Sequence, residues 1–393
     1  MAQSEFSWPL INDNVSQADK QALINFLQIP DVRLTNGPRV REFERQWSEW
    51  LGVEHTTFVN SGASGNYIMM SVVREIVGTG EVIVPPIGWV SDIAPAVNLG
   101  FTPVFVDVDK SNFSITFENI KNAVTPKTKA IVLVHAMGFS AMSDELLDFV
   151  RENDILLIED CCESHGAIHN GKKIGTFGDM SSFSFYFGHH ITTIEGGVVC
   201  TNNSVISEYL RLFRSHGMTR EASKEFQQKY QQKYPDLNPL FTFAVPGYNM
   251  RNMEINAVLG IEQMKRLDDN IECRIDNFNC WIKNLDSERF HTSYKSEGSS
   301  NFALPLVLNE KDKGLLDRVC RFLEKAGVEY RLGTAGGGNQ ARQPYLTEGR
   351  YHFRVHGGLE MADHIHEYGL YIGNHTELTR QQIINLCEGI NNV

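Results

Sequence analysis

Three stretches of the chain carry side chains whose types and spacing point to chemistry. Asn60-Ser61-Gly62-Ala63-Ser64 follows one apolar run and opens an amphipathic one. Small residues there leave backbone N–H groups free at a helix N-terminus, a ready site for a phosphate. The same residues also make an ordinary helix cap, and on their own they leave both readings open. Ile158 to Gly166 places Asp160 at the end of an apolar strand, followed by Cys161, Cys162 and Glu163. Parallel sheets collect ligands at that edge. Burying the carboxylate is costly unless a cation compensates, and a helix-capping Asp is the other reading. Ser182 to Gly197 sets two adjacent histidines, His189 and His190, after an aromatic-rich strand, with a Glu195-Gly196-Gly197 turn beyond. Imidazole titrates near working pH and suits proton transfer.

The elements that must position these groups follow from the hydrophobic pattern. Apolar, β-branched runs at 56–59, 81–84, 103–108, 130–135, 155–158, 182–187 and 198–201 read as strands, with helical patterns at 64–76 and 142–153 between them. The alternation predicts an α/β fold with crossover connections and a large, mostly parallel sheet. Residues 221–239 are polar and without period, so they read as a surface excursion. Helices are expected at 252–266 and on to about 285. Runs at 302–307, 315–326, 328–332 and 381–390 suggest a smaller α+β domain. The expected division is a cofactor domain at 1–252 and a C-terminal domain, with its linking helix, at 253–393. The glycines at 336–338 follow no strand-to-helix pattern and read as a mobile loop.

Composition narrows the class. The 393 residues are 42% apolar and 21% charged, an ordinary globular mix, and the net charge of -12 disfavours nucleic acid as a partner. Seven cysteines with no regular spacing do not suggest a disulfide framework. Met1 to Leu10 does not read as a signal peptide, and no apolar run approaches membrane-spanning length. The expected setting is cytoplasmic. Nucleotide-binding glycine motifs and H-E-x-x-H are absent, and the thirteen histidines fit no zinc pattern, so no metal is expected.

Taken in order, these motifs resemble the DegT/DnrJ/EryC1/StrS sugar aminotransferases, pyridoxal-phosphate enzymes of fold type I, which have an aspartate aminotransferase-like fold. The resemblance runs from about Leu34 to His375 and includes Val84-Pro85-Pro86, Glu159-Asp160 and Gly247-Tyr248-Asn249-Met250-Arg251-Asn252-Met253-Glu254. The family typically carries a Schiff-base Lys six residues before the Glu of Glu-Gly-Gly. Here that position is His189, and no Lys lies between Lys173 and Lys224. A dehydratase branch of the family has this replacement, and the chain is similar to it at 188–197, 215–220, 246–249 and 373–375. Another lysine-lacking branch carries an iron–sulfur cluster; the spacing of Cys273 and Cys280, with the other cysteines remote, does not match it.

The resemblance implies pyridoxal or pyridoxamine 5′-phosphate as cofactor, L-glutamate as cosubstrate and a nucleotide-linked 4-keto-6-deoxy sugar as substrate. It implies that Asp160 pairs with the pyridine nitrogen, that Trp89 stacks on the ring and that Glu163 lies near the ring oxygen. Gly62, Ala63, Ser184 and Asn249, the last from a second subunit of a homodimer with shared sites, would hold the phosphate. His189 would be the base for loss of the sugar 3-hydroxyl, with His190 as the alternative if the register slips by one. His216, Arg220 and Arg331 read either as substrate contacts or as surface residues. A 4-aminotransferase using a distant Lys, and a non-catalytic sugar binder, remain as rival readings.

Overall fold

The computed structural model describes residues 7–12 and 14–393. The seven apolar runs become β1 (His55–Val59), β2 (Glu81–Val84), β3 (Thr102–Phe105), β4 (Thr128–Val134), β5 (Leu156–Asp160), β6 (Met180–Ser184) and β7 (Gly197–Thr201). Farther along come β8 (Ala303–Val307), β9 (Tyr330–Leu332), β10 (Arg354–Val355) and β11 (Gly369–Gly373). The large sheet has the order β1-β7-β6-β5-β4-β2-β3-β10. It is parallel from β6 to β10, and β7 runs antiparallel to both of its neighbours. Helices on both faces bury it, so β4 to β7 are buried at nearly every position rather than at alternate ones. A second sheet, β8-β11-β9, forms the smaller layer.

Three helices precede β2: α1 (Gln17–Leu27), α2 (Pro38–Leu51) and α3 (Gly62–Val77). A second apolar cluster fills the space between α2 and the β1-β7-β6 edge. Trp47 sits at its centre, with its ring 4.8 Å from Phe185 and 5.2 Å from Phe183 in edge-on contacts. These aromatics anchor the start of the His189 loop.

Several boundaries differ from the sequence pattern. The run at 103–108 breaks after Phe105, and Val108–Asp109 turns into a two-stranded ribbon with Ser114–Ile115. The strand expected at 182–187 ends at Ser184, which frees Phe185 to His190 to leave the sheet. The excursion at 221–239 holds a helix, Lys224–Lys233, with no buried residue, which explains its missing period. The glycine run packs against the exit of β2: a Cβ on Gly336 would lie 2.2 Å from the Gly88 carbonyl oxygen, and Gln340 N–H donates to Pro86 at 2.7 Å. Two segments cross the boundary drawn after residue 252. The Trp8 indole donates to the Gly373 carbonyl at 2.9 Å, and β10 joins the large sheet. Among the described residues no helix is long and apolar enough to cross a membrane.

Candidate active site

The exits of β2, β4, β5 and β6 share one sheet edge and surround a cavity of about 310 Å³. Gly62, Ala63, Trp89, Asp160, Glu163, Ser184, His189 and Arg331 all line it. At the N-terminus of α3, Ser61 accepts a hydrogen bond from Ser64 N–H at 3.0 Å. A Cβ on Gly62 would lie 2.7 Å from Ser184 Cβ and 3.0 Å from Cys162 Sγ, so only glycine leaves this floor open. Gly197 must be small as well, since its Cβ would sit 2.6 Å from Gly62 N. The Glu-Gly-Gly turn therefore lets β7 pass against the loop that opens α3.

Asp160 is 5% exposed at the end of β5. Among the described residues no cation is ion-paired with it. Instead, Asn66 Nδ2 donates to it at 2.6 Å and Cys162 N–H at 2.9 Å. The same Asn66 amide reaches Asp92 at 3.1 Å, and Ser182 Oγ donates to Asn66 Oδ1 at 2.6 Å. Burial, and then the neighbouring Asp160, push the Asp92 carboxyl well above its ordinary range. The shift favours the protonated form of Asp92 beside the carboxyl at the cavity floor.

Glu163 accepts Met137 N–H at 2.7 Å. Met137 lies in the left-handed region, at φ 56°, between β4 and the loop that follows it. Burial raises Glu163 to about 7; the Met137 hydrogen bond opposes the rise and Asp160 adds to it.

His189 presents its ring to the cavity, with centroid distances of 5.3 Å to Phe302, 6.0 Å to His165 and 6.4 Å to Tyr186. Burial lowers it to about 4, opposed by Asp160 and assisted by Arg274, so it is neutral at pH 7. His190 is 1% exposed and turns the other way, with its Nε2 3.0 Å from Ser300 Oγ. Burial and Arg274 hold it well below its ordinary value. Trp89 is 50% exposed with its indole at the cavity mouth.

Three of the sequence-derived residues stand apart. Asn249, His216 and Arg220 are exposed and do not line this cavity. The Arg220 guanidinium lies over the Phe241 ring at 5.7 Å. Conversely, Asn66, Asp92, Phe302 and Tyr371 belong to the site without having been singled out in the sequence, and Phe302 and Tyr371 reach it from the C-terminal part of the chain. The His135–Glu159–Cys161 cluster behind the floor has ligand-like spacing. Two of its groups are already engaged: Glu159 accepts the N–H groups of Gly175, Phe177 and Gly178 and faces His135 at 3.2 Å, and His135 Nδ1 accepts Ala141 N–H. It ties β5 to the 175–178 loop.

Residues 16–391 match the DegT/DnrJ/EryC1/StrS aminotransferase family, and the chain belongs to that family. Its architecture is the fold type I of pyridoxal-phosphate enzymes, which is aspartate aminotransferase-like. The chain is 32% identical over 376 residues to GDP-4-keto-6-deoxy-D-mannose 3-dehydratase of Yersinia pseudotuberculosis, covering 94% of this chain and 95% of that one. It is 30% identical over 299 residues to GDP-perosamine synthase of Vibrio cholerae, covering 76% and 77%. The crystal structure of a GDP-4-keto-6-deoxymannose-3-dehydratase with a trapped PLP-glutamate geminal diamine superposes with a TM-score of 0.88 at 28% identity, covering 98% of this chain and all of that one.

Proposed function

We propose that this chain is a pyridoxamine-phosphate-dependent nucleotide-sugar 3-dehydratase acting on GDP-4-keto-6-deoxymannose or a close analogue, with L-glutamate regenerating the cofactor. One observation carries the reading. Where the family's Schiff-base Lys is expected, the cavity is lined by neutral His189, and no lysine among the described residues lines it. The dehydratase relative from Yersinia and the structure holding a PLP-glutamate adduct support the substrate class and the cosubstrate.

The residues fit a phosphorylated pyridine. The open floor at Gly62, with the free N–H groups of α3 and the Ser184 hydroxyl, suits a phosphate. Asp160 stands where a carboxylate would face a pyridine N–H, and the exposed Trp89 offers a ring face for stacking. When bound, such a cofactor supplies an electron sink for cleaving bonds next to its amine carbon. His189 would take the proton at that carbon and return one to the departing 3-hydroxyl oxygen, two steps that a neutral imidazole can serve in turn. Glu163, near neutral in its balance, would hold a proton close to the ring oxygen.

We further infer a homodimer with shared sites. Asn249, His216 and Arg220 face outward, and Leu240, Phe241 and Phe243 expose apolar surface in the same region. These outward groups would serve the partner's cavity.

A nucleotide-sugar 4-aminotransferase is the second reading, favoured by the perosamine synthase relative. It needs a lysine to carry the cofactor, and the cavity offers none among the described residues. Incubation with GDP-4-keto-6-deoxymannose, cofactor and glutamate, followed by mass spectrometry, separates the two. A 3-deoxy-4-keto product supports the proposal; a 4-amino product refutes it.

A further inference from the structure

A second cavity, of about 370 Å³, opens on the other side of the His189 loop. Leu10, Ile11, Gly188 and His189 line both cavities. Arg266 and the helix Leu267–Asn284 form one wall, and residues 374–377 form another. Two arginines stand there, and their surroundings differ. Arg266 is ion-paired to buried Asp19 at 2.6 Å. Arg274 is 7% exposed and, among the described residues, makes hydrogen bonds only to carbonyls. Of the five N–H donors of its guanidinium, one meets the Phe302 carbonyl at 2.9 Å and another reaches the His189 carbonyl only at 3.5 Å. Its Nε has no partner among the described residues, and neither do the two ring nitrogens of His375. Glu377 lines the cavity and, among the described residues, makes no hydrogen bond to Arg274. Burial pulls Arg274 down to about 10, with Cys273 opposing.

A buried cation without a counter-charge is strongly unfavourable, and an anion in the cavity would relieve it. We propose that this second cavity is an oxyanion site whose ligand is a carboxylate of a small dicarboxylic amino acid or its 2-oxo acid, held by Arg274. The proposal rests on the function above and deepens it. A glutamate cycle needs a place for the carboxylate remote from the reacting carbon, and this cavity adjoins the base. The planar guanidinium fork matches a carboxylate in shape, and a single unpaired cation balances a single negative charge. A diphosphate would bring surplus charge into a buried slot that offers one free arginine.

The test titrates the cofactor-loaded protein and its Arg274→Met variant calorimetrically with 2-oxoglutarate, L-glutamate, inorganic phosphate and GDP. The variant is expected to bind both dicarboxylates at least about tenfold more weakly while GDP is unchanged. Equal dicarboxylate affinity overturns the proposal, and so does a loss confined to GDP or phosphate. If Arg274→Met does not fold, Arg274→Lys removes the fork and keeps the charge, and His375→Phe fills the slot. Each should weaken the dicarboxylates selectively, and unchanged affinity in both overturns the site. The binding of 2-oxoglutarate requires no sugar chemistry. A protein that fails to dehydrate the sugar, yet loses 2-oxoglutarate on Arg274→Met, refutes the proposed function and leaves this site standing.

Discussion

In the cofactor-free chain, Glu163→Gln should flatten part of the dependence of stability on pH. Glu163 is raised from 4.5 to about 7, chiefly by burial, so the folded state holds its proton more tightly than the unfolded chain. Its contribution is fully present below 4.5 and is lost as pH rises through 7. At about 1.4 kcal/mol per pH unit, the displacement is worth about 3 kcal/mol. The carboxyl lines a cavity that water reaches, so about 1–2 kcal/mol is the reasonable expectation. Glutamine keeps an oxygen for Met137 N–H and cannot ionise. Urea unfolding of both proteins between pH 5 and pH 8.5 gives the comparison. The variant should gain on the wild type by that amount as pH rises, with Asp92 and other shared groups cancelling. Parallel stability curves across the range would show that Glu163 ionises normally, and the reasoning on its burial would then fail.

Four further outcomes follow from the site. His189→Asn should lower dehydration at least about a hundredfold while cofactor binding, read by fluorescence quenching, stays intact; near-normal turnover would sink the base assignment. His189→Lys should create a borohydride-reducible bond between the chain and the cofactor, visible as a mass increase, and no adduct would count against the placement of residue 189. Gly62→Ala drives a methyl to within 2.7 Å of Ser184 Cβ and should weaken cofactor binding by about 1–3 kcal/mol in equilibrium dialysis, while unchanged binding would place the phosphate elsewhere. Mixing inactive His189→Asn and Asn249→Ala chains, after subunit exchange, should restore about a quarter of wild-type activity if sites are shared; no recovery would argue that Asn249 serves its own subunit's cavity or none.

Much of the large sheet was legible because its strands are short, β-branched and buried on both faces. β2 and the helix at α3 emerge at nearly their read positions. β11 was not legible. Gly-Leu-Tyr-Ile-Gly begins and ends on glycine, which reads as loop, yet it is the buried central strand of the small sheet. β10 is two residues long and is a strand only because β3 lies beside it. Within the site, local motifs announced the phosphate-type turn, Asp160 and the His189 loop. Asn66 did not announce itself. Its role depends on Asp92 and Asp160 meeting one amide across separations of 26 and 94 residues. No single window of sequence contains that geometry.

The surroundings of His189 explain why an imidazole can occupy a position where relatives carry an amine. A lysine there must be neutral to act as a nucleophile, and the means available are burial and a nearby cation. Both are present. The rings of His165 and His190 lie close by, 5.0 Å apart, and Arg274 is the cation that depresses His165, His189, His190 and His375 alike. The burial that would deprotonate an amine keeps His189 a free base, with Asp160 opposing it and Arg274 assisting. Under the proposed function, replacing the lysine would remove covalent attachment of the cofactor without rebuilding the pocket's electrostatics. Under that function, proton transfer would be the role that survives such a replacement.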